Sequence, residues 1–393
     1  MRRPAAGGVG VVSPVDATAA AVQEDPLFWA AVVVGALALA VVLGSVVRRL
    51  RRTTGERLLG ALREQSAVAV LTHPNPDPDA MASALGVVEL ADAADADASI
   101  HYPGQIRHQE NRAFQTVLDL DFQHVADVSD IPARAVVLVD HNEPRGFPGA
   151  ETVDPWAVID HHPGEGDGAA LTDVRPEYGS CASILAEYFE ELGWDPLSPD
   201  EDQNGAEKRL PSTVATGLVY GIQSDTKHLT NGCSPAEFSA SAYLYDGVDE
   251  DRLDRIANPQ VDAEVLEVKA RAIRNRDVRN AFAVSDVGEV SNVDAIPQAA
   301  DELVRLEGVT AVVVVGCKEG TMHLSGRSRD DRVHMGKTLR AVADEVPMAS
   351  AGGHARMGGG QLSLVHMEGL GPGDGVDRAG VTDRLFDAMA GDV

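Results

Sequence analysis

Along the chain, short uninterrupted apolar runs alternate with longer stretches whose apolar residues recur at helical spacing. The runs Ala67–Leu71, Ala135–Val139 and Trp156–Ile159 end just before His73, Asp140 and Asp160. Runs that are apolar at every position predict strands buried on both faces, as in a parallel sheet. Helical patterns over Ala80–Ala91 and Cys181–Leu192 complete an α/β alternation, so the expected core is a doubly wound parallel sheet. In such a sheet the polar groups at the strands' carboxyl ends share one crevice. From Asp249 to about Arg279 the pattern is charged and helical and predicts a connecting helix. Ala281–Val284, Ala311–Val315 and Thr321–Leu324 then predict strands of a smaller α/β domain. Its glycine-rich stretch, Gly352-Gly353-His354 through Gly358-Gly359-Gly360, leads into the run Leu362–Val365. Leu197–Lys208 reads as a surface loop, and the interval from Asp92 to Gln123 is too irregular to assign.

One apolar stretch differs from the others. Residues 27–47 carry no charge and are about as long as a membrane-spanning helix. Trp29 stands near the start, and Arg48, Arg49, Arg51 and Arg52 follow the end. That flank predicts a single-pass anchor in the cell membrane with everything after it in the cytoplasm. A signal peptide would have a shorter apolar core and a small-residue exit. The expected organisation is therefore a disordered tail over 1–26, a transmembrane helix over 27–47, and a catalytic domain over 53–248. A connecting helix over 249–280 and a second domain over 281–393 complete it.

Charge narrows the partners. The chain of 393 residues has a net charge of −28 and only five lysines. Such a surface repels polyanions unless arginines or cations are concentrated at a site, so long double-stranded DNA is not an expected partner. The acids are scattered, which fits solubility in a salt-rich cytoplasm. Cys181, Cys233 and Cys317 lie far apart with no CxxC spacing, which argues against a disulfide framework and a zinc ribbon. Cys317 follows an apolar run and reads as a packed small hydrophobe.

Chemistry concentrates in four clusters. They are His73-Pro74-Asn75-Pro76-Asp77-Pro78-Asp79, Asp140-His141-Asn142, Asp160-His161-His162, and Gln223-Ser224-Asp225-Thr226, each read at a strand end. A single aspartate at a strand end is usually a helix cap, and Asp79 alone would be read so. Four such clusters together point to metal. Mixed carboxylate and imidazole donors suit Mn²⁺, and less exclusively Mg²⁺, Fe²⁺ or Co²⁺. Two divalent ions about 3.5–4 Å apart need a bridging carboxylate with terminal donors on both sides.

With these clusters the chain resembles the DHH phosphoesterases over about residues 60 to 393, including that family's C-terminal associated domain. The resemblance implies one metal held by His73, Asp77 and Asp140. It implies a second held by Asp79, Asp140, His161 and Asp225, with Asp140 bridging. His162 would face the substrate phosphate and Asp160 would support the site.

Ser325-Gly326-Arg327-Ser328 and Gly352-Gly353-His354-Ala355-Arg356 resemble the S-x-R-S and G-G-H elements of the associated domain in nano-RNA, adenosine bisphosphate and cyclic di-AMP hydrolases. By that likeness Ser325, Arg327, Ser328, Gly352, Gly353, His354 and Arg356 would bind substrate. The glycines would let backbone N–H groups approach an anion, and Arg327 would grip a phosphate. Alone, these residues would read as a tight turn and a surface ion pair. Lys227-His228 stands where the family commonly has glycine.

The expected function is a membrane-anchored, metal-dependent hydrolase of small nucleotides or short single-stranded RNA or DNA. The likeness allows a homodimer. Two other readings compete: a membrane-tethered nucleotide-binding regulator with little turnover, and an inorganic pyrophosphatase. The first predicts a missing metal ligand, and none is missing. The second fits Asp140-His141-Asn142-Glu143 but not the C-terminal motifs.

Overall fold

A computed structural model describes residues 29–40, 52–106, 108–201, 208–344, 346–367 and 376–391. Residues 29–40 are helical, and Trp29, Val32, Val33, Val34, Leu37 and Leu39 on them are exposed. The rest of the span expected over 27–47, and the tail over 1–26, lie outside the described residues. Among the described residues no helix is long and apolar enough to cross a membrane.

The described residues divide into two units, one of residues up to 104 with 122–249, the other of 105–121 with the residues from 250 onward. The first unit is built on six parallel strands: β1 Ala67–Leu71, β2 Asp97–Tyr102, β3 Phe122–His124, β4 Ala135–Val139, β5 Ala157–Asp160 and β6 Leu171–Val174. Their order is β3-β2-β1-β4-β5-β6. The chain thus winds outward in one direction from β1 and in the other from β4, and the crevice of a doubly wound sheet opens between those two strands. Val136 to Val139 and Val68 to Leu71 are buried, as strands covered on both faces must be.

Helices α1 Thr54–Leu62, α2 Pro78–Asp92 and α3 Cys181–Glu191 pack on the sheet, and α4 Ser212–Asp225 and α5 Pro235–Leu244 pack on those helices. Several starts have a local cause. Thr53 with Glu56, and Ser234 with Glu237, form reciprocal capping boxes. Pro78 and Pro235 occupy the first helical positions, where the missing N–H costs nothing. α2 packs against α3 and α4, and its inner residues Ala80 to Ala84 are all buried.

The second unit holds a mixed sheet of β7 Arg276–Arg279, β8 Phe282–Glu289, β9 Ala311–Lys318, β10 Thr321–Ser328, β11 Ser350–Gly353 and β12 Met357–Ser363, in the order β11-β12-β10-β9-β8-β7. Strands β8 and β9 are parallel and the other pairs antiparallel. One core contains Met322, Met335, Leu339 and Leu362, the other Val268, Ile296, Val312 and Val314. Odd and even residues of β9 divide between these two cores, as the strand period requires.

One expectation needs correction, and one unassigned interval is filled. The connecting helix expected over 249–280 is two helices, Glu250–Ala257 and Ala263–Asn275, followed by β7. Pro259 breaks the helical pattern between them because a proline restricts the residue before it to extended backbone. The unassigned interval contains β2, the helix Gln109–Val117 and β3, and that helix belongs to the second unit.

Candidate metal centre

Three strand ends and two helix ends, one of them the first turn of α2 that carries Asp79, bring the first unit's acids and imidazoles together. His73 and Asp77 follow β1, Asp140 follows β4, and His161 and His162 follow β5. Asp225 ends α4, so the fourth cluster sits at a helix terminus and not at the strand end expected for it.

Asp140 occupies the centre. Its φ of 61° is left-handed, a region that aspartate enters more readily than most residues. Its carboxylate is buried between two rings, with Oδ2 3.3 Å from Nε2 of His73 and Oδ1 3.2 Å from Nε2 of His161. On one side, His73, Asp77 and Asp140 each offer a donor atom within 4.8 Å of the others. On the other side Asp79, His161 and Asp225 do the same, and so do Asp140, His161 and His162. Nε2 of His161 is 3.5 Å from Asp225 and 3.8 Å from Asp79.

The rings are aimed by their other nitrogens. Nδ1 of His73 bonds the carbonyl of Pro74 at 3.0 Å, and Nδ1 of His161 bonds that of Tyr178 at 3.3 Å. With each Nδ1 bonded to a carbonyl, Nε2 is the nitrogen that each ring turns toward Asp140, and it carries a lone pair there once its proton leaves. Asp160, fully buried, takes no part in the donor groups. Its Oδ1 accepts the backbone N–H of His161 at 2.8 Å and of His162 at 3.1 Å, and contacts Nδ1 of His162 at 3.0 Å. Its Oδ2 accepts the side-chain amide of Asn142 at 2.9 Å. His162 is half exposed, with its Nε2 edge away from Asp160.

This arrangement fits divalent cations. Both oxygens of Asp140 and Nε2 of His161 are buried without an aligned hydrogen-bond partner among the described residues. Orphaned buried donors and acceptors are rare and call for an explanation, of which a bound ion is one. Electrostatics agree. Burial opposes charge on His73 and His161, yet Asp140 with Asp77 pushes the first up to about 11, and Asp140 with Asp225 and Asp79 pushes the second up to about 12. Burial raises the carboxyl of Asp79 well above the usual range, and Asp140 and Asp225 add to it. Burial likewise raises Asp225. Asp140 is opposed by burial too, but His161 and His73 hold it well below the carboxylate range. Four carboxylates this close need positive charge, which protons supply poorly and divalent ions supply well.

Several contributors escaped the sequence reading. Asn142 holds Asp160. Gly146, with φ 93°, lies so close to Pro74 that a Cβ would come within 2.2 Å of its ring. Glu237, fully buried on α5, accepts the backbone N–H of Gly179 at 2.8 Å. Asn142 stands in the Asp140-His141-Asn142 cluster with no role assigned from sequence, and Glu237 carries only the Ser234-x-x-Glu237 capping pattern, which speaks of a helix start. Lys227, His228 and Leu229 run through three consecutive left-handed φ values of 49°, 56° and 60°, where glycine would sit without strain.

The substrate residues expected in the second unit stand differently from the expectation. Arg327 does not present a free fork: Nε and Nη2 bond Asp301 at 2.5 and 3.3 Å, and Nη1 donates to Ser325 Oγ at 3.1 Å. Gly352 and Gly353 belong to β11 and pair with Gly359 and Gly358, so these glycines form sheet and not an open anion loop. The carbonyls of His354 and Ala355 accept the N–H groups of Gly336 and Met335. Ser328 is turned to Asp330, and Arg356 bonds Asp331 at 2.8 Å. Ser325 and Gly352 line a cavity of about 520 Å³ with Ile296, Pro297, His323 and Gln361, while Arg327, Ser328, Gly353, His354 and Arg356 do not.

Comparison with known proteins adds ancestry. Residues 67–222 match the model of the DHH family N-terminal domain, and residues 279–370 that of the DHHA1 domain. An uncharacterized protein of Methanocaldococcus jannaschii is 35% identical over 302 residues, 77% of this chain and 59% of that protein. The cyclic-di-AMP phosphodiesterase PdeA of Listeria monocytogenes is 25% identical over 282 residues, 67% of this chain and 41% of that protein. The chain therefore spans about half the length of these two relatives. In fold it is similar to a crystal structure of an exopolyphosphatase-related protein from Bacteroides fragilis. The TM-score is 0.58 at 15% identity, covering 85% of this chain and 96% of that one.

Proposed function

Because the chain belongs to the DHH family of phosphoesterases, we propose that it is a divalent-metal-dependent hydrolase of phosphodiester or phosphomonoester bonds in small nucleotides or short single-stranded oligonucleotides. The observation that carries this reading is the buried carboxylate of Asp140 set between two imidazoles, with both its oxygens unsatisfied.

In this reading His73, Asp77 and Asp140 hold one ion, and Asp79, Asp140, His161 and Asp225 hold the other. Two such ions supply Lewis acidity and a water acidic enough to ionise near neutral pH. Mn²⁺ is the preferred occupant for a mixed imidazole and carboxylate set, with Mg²⁺ or Co²⁺ as substitutes. The protein's part is positional. Asp140 is fixed by its left-handed backbone, and Asp160 holds the His161–His162 turn through two backbone N–H groups. Contact with Asp160 raises the pKa of His162 despite burial, so its exposed edge offers an N–H to a phosphoryl oxygen. In the second unit Ser325, and Arg327 once released from Asp301, are the groups offered to a phosphate.

We place the enzyme at the membrane through residues 27–47, with its catalytic domains on the cytoplasmic side. The uncharged stretch, the arginines that follow it and the exposed apolar helix over 29–40 support that placement.

The test is hydrolysis by the purified chain with Mn²⁺ in high salt. The substrates are di- to pentanucleotide RNA, cyclic di-AMP, adenosine 3′,5′-bisphosphate and inorganic pyrophosphate, with Asp140→Ala as control. Nucleotide cleavage that falls at least about 10³-fold in the variant is expected, since the bridging ligand serves both ions. Preference for pyrophosphate would select the pyrophosphatase reading. Tight nucleotide binding without product would select the regulator.

A further inference from the structure

The metal-centre reading leaves one fully buried acid unused. Glu237 lies on α5, away from the donor groups, with no exposed surface. Its Oε2 accepts the N–H of Ser234 at 2.6 Å, the usual task of a glutamate at the third position of a helix. Its Oε1 does something a cap does not require: it reaches out of the helix to the N–H of Gly179 at 2.8 Å.

That N–H shares a peptide unit with the carbonyl of Tyr178, and the Tyr178 carbonyl is what Nδ1 of His161 bonds. The order is thus carboxylate, peptide, imidazole, and then the Nε2 that faces Asp140, Asp225 and Asp79. A ligating histidine commonly gives its second N–H to a carboxylate or a carbonyl, which sets the tautomer and strengthens the ligand. Here both partners are present in series. A carboxylate pulling on the amide N–H polarises the peptide and makes its oxygen a better acceptor, as hydrogen bonds in chains do.

The local build serves this alignment. Gly179 could carry no side chain, because a Cβ would come within 2.4 Å of the carbonyl of Gly232 and 3.1 Å of Glu237. The turn is braced from the other end, where Tyr178 N–H bonds the carbonyl of Arg175 at 3.0 Å. The Tyr178 hydroxyl bonds Glu187 at 2.5 Å and accepts from Arg175 at 3.0 Å. The peptide plane is held on both sides, and its orientation is set by groups that never touch the metal.

We propose that Glu237 is a positioning residue for the metal centre, acting on His161 through the Tyr178–Gly179 peptide. The proposal rests on the metal-centre reading above.

Calorimetric titration of the full chain with Mn²⁺, paired with thermal unfolding, separates this role from capping. Glu237→Gln keeps the size and a capping-competent side chain but replaces the charged acceptor with a neutral one. It is expected to weaken one of the two Mn²⁺ binding steps about ten-fold, the low end for a ligand's outer partner. Ser234→Ala removes the side-chain acceptor for Ala236 N–H and leaves Gly179 alone. It is expected to lower Tm without changing Mn²⁺ affinity. Glu237→Asp, which keeps the charge but draws it back, is the second variant, with a smaller loss in the same step. If Glu237→Gln binds Mn²⁺ as tightly as the parent, or if Ser234→Ala loses as much affinity, Glu237 is only a cap and the proposal is overturned. If the parent binds no Mn²⁺, the metal-centre reading itself has failed.

Discussion

The carboxylate of Asp79 accepts the backbone N–H of Cys181 at 2.7 Å, across 102 residues of sequence. It also accepts the N–H of Ala182 at 2.8 Å, so one side chain at the start of α2 satisfies two of the donors that the start of α3 leaves open. The same carboxylate stands 3.8 Å from Nε2 of His161. A metal ligand is therefore also the fastening between two helices of the core; its burial, with Asp140 and Asp225 beside it, raises its carboxyl pKa.

Asp79→Ala is accordingly expected to cost stability as well as metal. Two buried N–H groups lose their acceptor, about 3 kcal/mol by the usual penalty for unsatisfied donors. Urea unfolding in the presence of a chelator measures this without the metal contribution. A midpoint equal to the parent's would show that water replaces the carboxylate.

Metal binding is expected to release protons and to tighten as pH rises. His73 and His161, at about 11 and about 12, hold protons at neutral pH in the metal-free chain, and an ion needs both Nε2 atoms unprotonated. Their raised values mean that the metal-free fold binds more protons than the unfolded chain between about pH 6.5 and these limits. That stabilisation is complete below about 6.5 and is lost as pH rises through 11 and 12. At pH 8 the two rings alone should release about two protons as the pair of ions binds, and the raised carboxyl of Asp79 only adds to that number. Calorimetry in two buffers of different ionisation enthalpy reads the number, and zero release would contradict the assignment of these rings as ligands.

Gly146→Ala should damage the His73 side of the centre selectively. Its left-handed φ disfavours any side chain, and the new methyl group would meet Pro74 in the turn that carries His73 and Asp77. A destabilisation of about 2 kcal/mol is expected from strain and overpacking. Weaker binding of one Mn²⁺ equivalent should accompany it, with the equivalent at His161 retained. Loss of both equivalents in equal measure would place the effect in the whole fold.

Arg327→Ala tests the second unit. The guanidinium is already paired with Asp301 and Ser325, so it serves substrate only by exchanging Asp301 for a phosphate. Removing it should raise KM for a dinucleotide about ten-fold or more while leaving Mn²⁺ affinity unchanged. An unchanged KM would mean that the ion pair with Asp301 is structural.

The sequence alone determined what repeats or what clusters. Runs such as Ala135–Val139 read as buried strands because a parallel sheet demands apolar residues on both faces. The four acid and histidine clusters stood out because such donors gather at strand ends only when something holds them there. The tertiary structure decided everything that depends on which distant groups meet. Asp225 lies at a helix end, Arg327 is paired with Asp301, and the glycines at 352 and 353 are sheet residues. Glu237 next to Gly179, Asn142 next to Asp160 and Gly146 against Pro74 leave no periodic trace either. The physical reason is the range of the interactions. Hydrophobic periodicity and helix caps act over a few residues and are written along the chain. A hydrogen bond between residues 58 apart is specified only by the fold that joins them.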